Sequence, residues 1–109
     1  MPINSKQKGK RGELEWVHRL KGEGYEAERT VQYKGSLESF DVESNCPIKR
    51  YEVKRVQNLN VYAVMDKSRQ EAQGEAFALA WRKDGGKWVV VMDDWVCFKL
   101  MEAKDNGDI

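Results

Sequence analysis

The order strand, helix, strand between Tyr51 and Arg82 constrains this chain more than any other feature. Tyr51 to Val56 reads as a strand, and a helix capped by Asn58 or Asn60 runs from there to about Ala72. That helix carries Val61, Val64, Met65 and Ser68 on one side and is ended by Gly74, after which Phe77 to Arg82 reads as a further strand. A helix between two strands is the crossover that a parallel pair requires, whereas antiparallel neighbours can be joined by a tight turn. Asp84-Gly85-Gly86 is such a turn, leading into a strand at Trp88 to Met92. A chain with both kinds of connection is expected to form a mixed sheet flanked by helices.

The remaining elements fit around that unit. Asn4 or Ser5 can cap a first helix over about residues 6–21, with Leu14, Val17 and Leu20 at helical spacing, Trp16 beside them, and Gly22 and Gly24 at its end. Tyr25, Ala27, Arg29, Val31 and Tyr33 alternate with polar residues as in a half-buried strand, and Lys34, Gly35 and Ser36 begin the following turn. Phe40 to Glu43 reads as a short second strand that ends in a loop at Ser44 to Pro47. Asp93 or Asp94 caps a last helix over Trp95 to Lys104. The expected order is α-β-β-β-α-β-β-α, an α/β (α+β) chain, within a single domain over residues 1–109. The basic residues 1–8 and the polar tail 105–109 are expected to be flexible.

Composition closes off several classes. At 109 residues, with 40% hydrophobic and 34% charged side chains, the chain suits one globular core and no fibrous or disordered class. The longest apolar run, Ala76 to Trp81, is too short to cross a bilayer, and no apolar leader follows the basic start, so a cytoplasmic protein is expected. Cys46 and Cys97 match neither a disulfide framework nor a zinc spacing and read as free thiols. The formal net charge of +1 hides an asymmetry, because residues 1–21 alone carry +4 and leave −3 on the rest. A basic N-terminal segment, with Lys6, Lys8, Lys10 and Arg11, is an electrostatic footprint for a polyanion, most often nucleic acid.

The chemistry is concentrated in the third strand, Tyr51-Glu52-Val53-Lys54-Arg55-Val56, where Glu52 and Lys54 share one face about 7 Å apart along the strand. If the second and third strands are neighbours, Asp41 faces the same cleft as Glu52. Two carboxylates without histidine or cysteine suit a hard cation, Mg²⁺ or Mn²⁺, which also binds phosphate oxygens, so a phosphodiester is the natural substrate. The metal would polarise the phosphate and acidify a bound water, while the lysine positions or deprotonates that water. Glu13 on the first helix and Gln70 near the end of the second could complete the site. Glu102-Ala103-Lys104 has the same spelling but falls in an expected helix, where residues two apart do not face each other.

Asp41, followed after a gap of ten residues by Glu52-Val53-Lys54, resembles the PD-(D/E)xK nuclease motif with Phe-Asp in place of Pro-Asp. The wider chain, over roughly residues 6–100, is similar to small archaeal-type and phage Holliday junction resolvases, in which a basic Lys-Gly segment leads into a glutamate on the first helix. Here that segment is Lys8-Gly9-Lys10-Arg11-Gly12-Glu13. Asn58-Leu59-Asn60, Gln70-Glu71-Ala72 and Trp88-Val89-Val90-Val91 also resemble that group. The resemblance implies a restriction-endonuclease-like αβββαβ core, a homodimer, and a metal-dependent DNA endonuclease acting on four-way junctions in recombination. It further implies that Asp41 and Glu52 bind Mg²⁺ or Mn²⁺ with help from Glu13, that Lys54 acts on the attacking water, and that Gln70 orients a group near it. Two assignments stay open in the sequence, Asp41 against Glu43 and Glu13 against Glu15, with Asp41 and Glu13 favoured.

Arg29, Lys34, Lys49 and Arg55 are candidates to extend the DNA-binding surface of Lys6, Lys8, Lys10 and Arg11. His18, the only histidine, is expected to have no catalytic role, and Trp16, Trp81, Trp88 and Trp95 are expected in the core. The same features also suit a non-catalytic DNA-binding module, or a nuclease of this motif acting on flaps or duplex DNA.

Overall fold

Which way each strand turns its side chains decides the architecture. The computed structural model describes residues 5–30 and 39–107, with side chains described from Gly9 onward in the first segment. Helix α1 (Ser5–Gly22) leads into strands β1 (Ala27–Arg29), β2 (Val42–Ser44) and β3 (Arg50–Arg55). Helix α2 (Val61–Ala72) connects to β4 (Ala78–Arg82), and β5 (Val89–Val91) is followed by α3 (Asp94–Asp105). The five strands form one sheet in the order β1-β2-β3-β4-β5. Among the described residues only β3 and β4 are parallel, and α2 is the crossover between them, so the fold is α+β with the mixed sheet that the crossover predicts.

Two apolar layers cover the sheet. On one face Trp16, Val17 and Leu20 of α1 pack on Val42, Tyr51, Val53, Ala78 and Ala80, joined by Val96 of α3. On the other, Met65 and Ala72 of α2 pack on Phe40, Phe77 and Leu79. Covered from both sides, Ala78, Leu79 and Ala80 are wholly buried, which is why this segment is the longest apolar run of the chain. The strand period therefore turns Tyr51 and Val53 toward α1, and Glu52 and Lys54 toward the side of α2.

Several boundaries move from their expected places, each for a local reason. Helix α1 starts at Ser5, so half of the expected flexible arm is helical, and lysine, glutamine and arginine are good helix formers. Likewise α3 runs through Asp105, into the expected tail. Strand β1 is three residues long, and Val31 to Lys34 lie outside the described residues. Strand β2 starts at Val42 rather than Phe40, because the Val53 amide donates to the Asp41 carboxylate at 2.8 Å instead of to a backbone carbonyl.

Asn60, not Asn58, caps α2, its Oδ1 accepting from the Ala63 amide at 3.1 Å. At the other end Gln73 (φ 51°) and Gly74 (φ 85°) take the left-handed conformation that closes the helix. Asp93 precedes α3 as its cap residue, yet its carboxylate accepts from Arg69 of α2 at 3.0 and 2.7 Å, which pins the two helices together. Trp16 is buried edge-on to Tyr51, with Trp88 tilted against it, and Trp81 is packed under α2. Trp95 departs from the expected core position: it is 40% exposed, because only Val96 of α3 is buried against the sheet. Among the described residues no helix is long and apolar enough to cross a membrane.

Candidate functional site

Strand β3 supplies the floor of a cleft of about 900 Å³ that opens between α1 and α2. Glu13, Ser39, Asp41, Glu52, Lys54 and Glu71 all line it. Asp41 reaches it by strand register. The β2–β3 ladder pairs Val42 with Tyr51, so one residue earlier Asp41 lies beside Glu52, and its amide still donates to the Tyr51 carbonyl at 3.0 Å. Phe40, immediately before it, is wholly buried under α2 and anchors this turn. Lys54 Nζ lies 3.8 Å from Glu52 Oε1, on the common face that a period of two predicts.

The two carboxyl groups sit uneasily together. Burial pushes Asp41 up to about 6, opposed by the hydrogen bond from the Val53 amide and reinforced by the charge of Glu13. Glu52 is pushed up to about 8, first by burial and then by Asp41, with Lys54 pulling it back and Glu71 adding to the rise. Burial raises both carboxyls and each bears on the other, so the pair resists holding two negative charges at once. Two converging oxygen ligands that repel each other as anions form a donor set whose charge a hard dication would neutralise. Among the described residues no three His, Cys, Asp or Glu side chains converge as a ready-made metal cage. Mg²⁺ needs none, since it keeps several waters and takes one or two carboxylates.

Helix α1 turns its two glutamates to different partners. Glu13 lines the cleft, where its Oε1 accepts from Arg29 Nε at 2.9 Å. Glu15, two residues on and on another helix face, accepts from Arg55 at 3.3 Å and Arg82 at 2.8 Å. Arg55 Nη1 also pairs with Asp84, and its side chain is only 15% exposed. Gly12 lets the helix approach this strand, because a Cβ there would stand 2.7 Å from Arg55 Cβ. Glu13 is therefore the α1 carboxylate that faces Asp41. Glu43 likewise separates from Asp41 and lines a different depression with Glu26, Glu28 and Asn45.

Not every expected site residue meets in the cleft. Gln70 does not line the cleft. Met65, Ser68 and Ala72 turn one side of α2 inward, Lys67 and Glu71 share the flank that borders the cleft, and Gln70 is exposed, about 100° around the helix from Glu71. Arg29 and Arg55 each pair with a glutamate of α1, Arg29 with Glu13 and Arg55 with Glu15, and Arg55 also lines the cleft. Lys10 and Arg11 are exposed, near Gly9 at the cleft rim, while Lys34 and the side chains of Lys6 and Lys8 lie outside the described residues.

Lys67 and Glu71 are site residues that sequence reasoning passes over. Glu71 Oε2 accepts from Ser39 Oγ at 2.8 Å, tying α2 to the turn that delivers Asp41. The available signal was the phase of α2 relative to Met65 and Ser68, which sets Glu71 rather than Gln70 on the cleft flank. His18 is exposed on α1 and lies outside the cleft lining. Cys46 is buried, its thiol within hydrogen-bond reach of the Ile48 carbonyl and the Tyr51 hydroxyl, and Cys97 is a second free thiol.

Comparison with known proteins found no match for this chain among protein-family models, curated proteins or solved structures.

Proposed function

We propose that this protein is a metal-dependent DNA endonuclease with a restriction-endonuclease-like core, acting as a homodimer on branched DNA of the four-way-junction type. The observation that carries the reading is the meeting of Asp41 and Glu52 in one cleft with Lys54 on the same strand face. Asp41 and Glu52 would hold Mg²⁺ or Mn²⁺, and Glu13, beyond its bond to Arg29, adds negative charge beside them. When bound, the ion polarises the phosphodiester and makes a bound water more acidic. The chain's own groups do the rest. The Val53 amide holds the Asp41 carboxylate in its orientation, and Glu71 holds Ser39 and so the turn before Asp41. Lys54, 38% exposed at its side chain, orients the attacking water through its ammonium and offers positive charge to the phosphorane as negative charge builds.

The DNA class rests on the basic N-terminal segment and on the resemblance to junction resolvases. A symmetric dimer would present two such clefts to two strands of a junction. The test is cleavage of a labelled four-way junction beside linear duplex, flap and single strand of the same sequence, in Mg²⁺, Mn²⁺ or EDTA, with Lys54→Ala as control. Paired nicks confined to the junction, lost in EDTA and in the variant, are expected. Cleavage of every DNA form would keep the nuclease and remove its junction preference. Binding without cleavage in either metal would overturn the enzyme and leave a DNA-binding module.

A further inference from the structure

At one end of the cleft, Arg55, Val56 and Gln57 form the wall, and all three are tied to the hairpin that joins β4 to β5. Trp81 Nε1 donates to the Val56 carbonyl at 2.8 Å, the Asp84 amide donates to Gln57 Oε1, and Arg55 pairs with Asp84. The turn is itself braced. The Gly86 amide donates to the Lys83 carbonyl at 3.0 Å, Gly85 takes the left-handed φ of 73° that the turn needs, and Arg82 Nε donates to the Gly86 carbonyl at 2.7 Å. The hairpin is thus a rigid extension of the cleft wall.

This extension carries a separate small pocket of about 230 Å³, lined by Trp81, Lys83, Gly86, Lys87 and Val89. Lys83 Nζ lies 5.6 Å from the centroid of the Trp81 ring, a cation–π contact that restrains a long side chain otherwise free to wander. The charges nearby divide cleanly. Arg55 and Arg82 are matched by Glu15 and, for Arg55, by Asp84 as well. Lys83 and Lys87 are exposed and make no ion pair with any described residue. A polyanion entering the cleft meets Glu13, Asp41, Glu52 and Glu71, and needs compensating cations close by.

We propose that the β4–β5 hairpin is a second DNA contact, at which Lys83 and Lys87 hold the phosphodiester backbone of the strand that runs off the end of the Asp41–Glu52 cleft. The inference rests on DNA being the substrate of that cleft. It does not require that the cleft cut it. Trp81 serves as the wall that orders the Lys83 ammonium, and the hydrogen bonds to Val56 and Gln57 fix the distance between this contact and the scissile position.

The test is the salt dependence of junction binding by the full chain, followed by fluorescence anisotropy in EDTA so that no strand is cut. Each phosphate contact contributes about 0.9 to the slope of log K against log salt, so Lys83→Ala/Lys87→Ala should flatten that slope by roughly 2 and weaken binding roughly 50-fold near 0.1 M salt. Lys83→Arg/Lys87→Arg, which keeps both charges, should restore the slope. Lys21→Ala/Lys104→Ala makes the same change in net charge in the last turns of α1 and α3, away from the hairpin, and should leave the slope near that of the unaltered chain. An unchanged slope in the hairpin variant, or equal flattening in both double variants, would overturn the hairpin contact and leave the DNA reading standing. An unaltered chain that binds no DNA would overturn both.

Discussion

Glu15 and Glu52 are both part-buried glutamates on neighbouring elements, and their surroundings could hardly differ more. Glu15 is met by two guanidinium groups, one of which is also matched by Asp84, so charge is balanced where α1 rests on β3 and β4. Glu52 meets Asp41, Glu71 and one ammonium at 3.8 Å, and its carboxyl is driven up to about 8 as a result. The first cluster is complete within the chain and holds the fold together. The second is left unbalanced inside the fold, which is the usual mark of groups placed for a ligand or a reaction.

The largest expected effect falls on the unbalanced side. Asp41→Asn should lower junction cleavage in Mg²⁺ by about 10³-fold or more, on the scale of losing a catalytic group, while removing a repelling charge from beside Glu52. Its melting temperature in EDTA at pH 8 should therefore equal or exceed that of the unaltered chain. A variant that cuts normally, or that melts much earlier, would make Asp41 a structural residue and dissolve the contrast with Glu15.

The next effect is on pH. Both carboxyls are raised in the folded state, from 3.8 and 4.5 to about 6 and about 8, so between those limits the folded chain binds more protons than the unfolded one. Stability is then fully present below about pH 4 as far as these two groups are concerned, and is lost as pH rises through their folded values. In EDTA the melting temperature should fall by about 5 °C or more between pH 5 and pH 8, and added Mg²⁺ should recover most of that loss at pH 8. A metal-insensitive melting curve would remove the dication from the site.

Smaller effects sharpen the balanced side. Glu15→Gln should cost about 1–2 kcal/mol in urea unfolding, since it leaves Arg82 without its carboxylate and Arg55 with Asp84 alone, and these side chains are 29% and 15% exposed. Junction cleavage at a temperature where the variant is folded should fall far less than in Asp41→Asn. Smallest of all, Gln70→Ala should change stability and cleavage within error, whereas Glu71→Ala, which frees Ser39 from α2, should slow cleavage measurably. The reverse ranking would return Gln70 to the site.

The parts of the site that lie along one strand were readable from the residues. The period of two sets Glu52 and Lys54 on one face whatever the rest of the chain does, and Asn60 caps α2 by a bond that spans only three residues. Glu71 was harder to see, because a helix shows its phase only once Met65, Ser68 and Ala72 have chosen the sheet. Arg55 was harder still, since its partners Glu15 and Asp84 lie 40 and 29 residues away.

Local periodicity, capping and turn chemistry thus determined on their own that this chain forms helices and strands in a crossover-containing order, and that an acid and a lysine share a strand face. Those properties depend on bond geometry and near neighbours. Tertiary structure alone decided which charges were matched and which were not. It brought Asp41 beside Glu52, gave Glu15 to the arginines, left Glu13 in the cleft, and set the Lys83 and Lys87 hairpin at its end. Pairing energies between groups far apart in the chain depend on burial and distance in space, and neither exists until the sheet has closed its register.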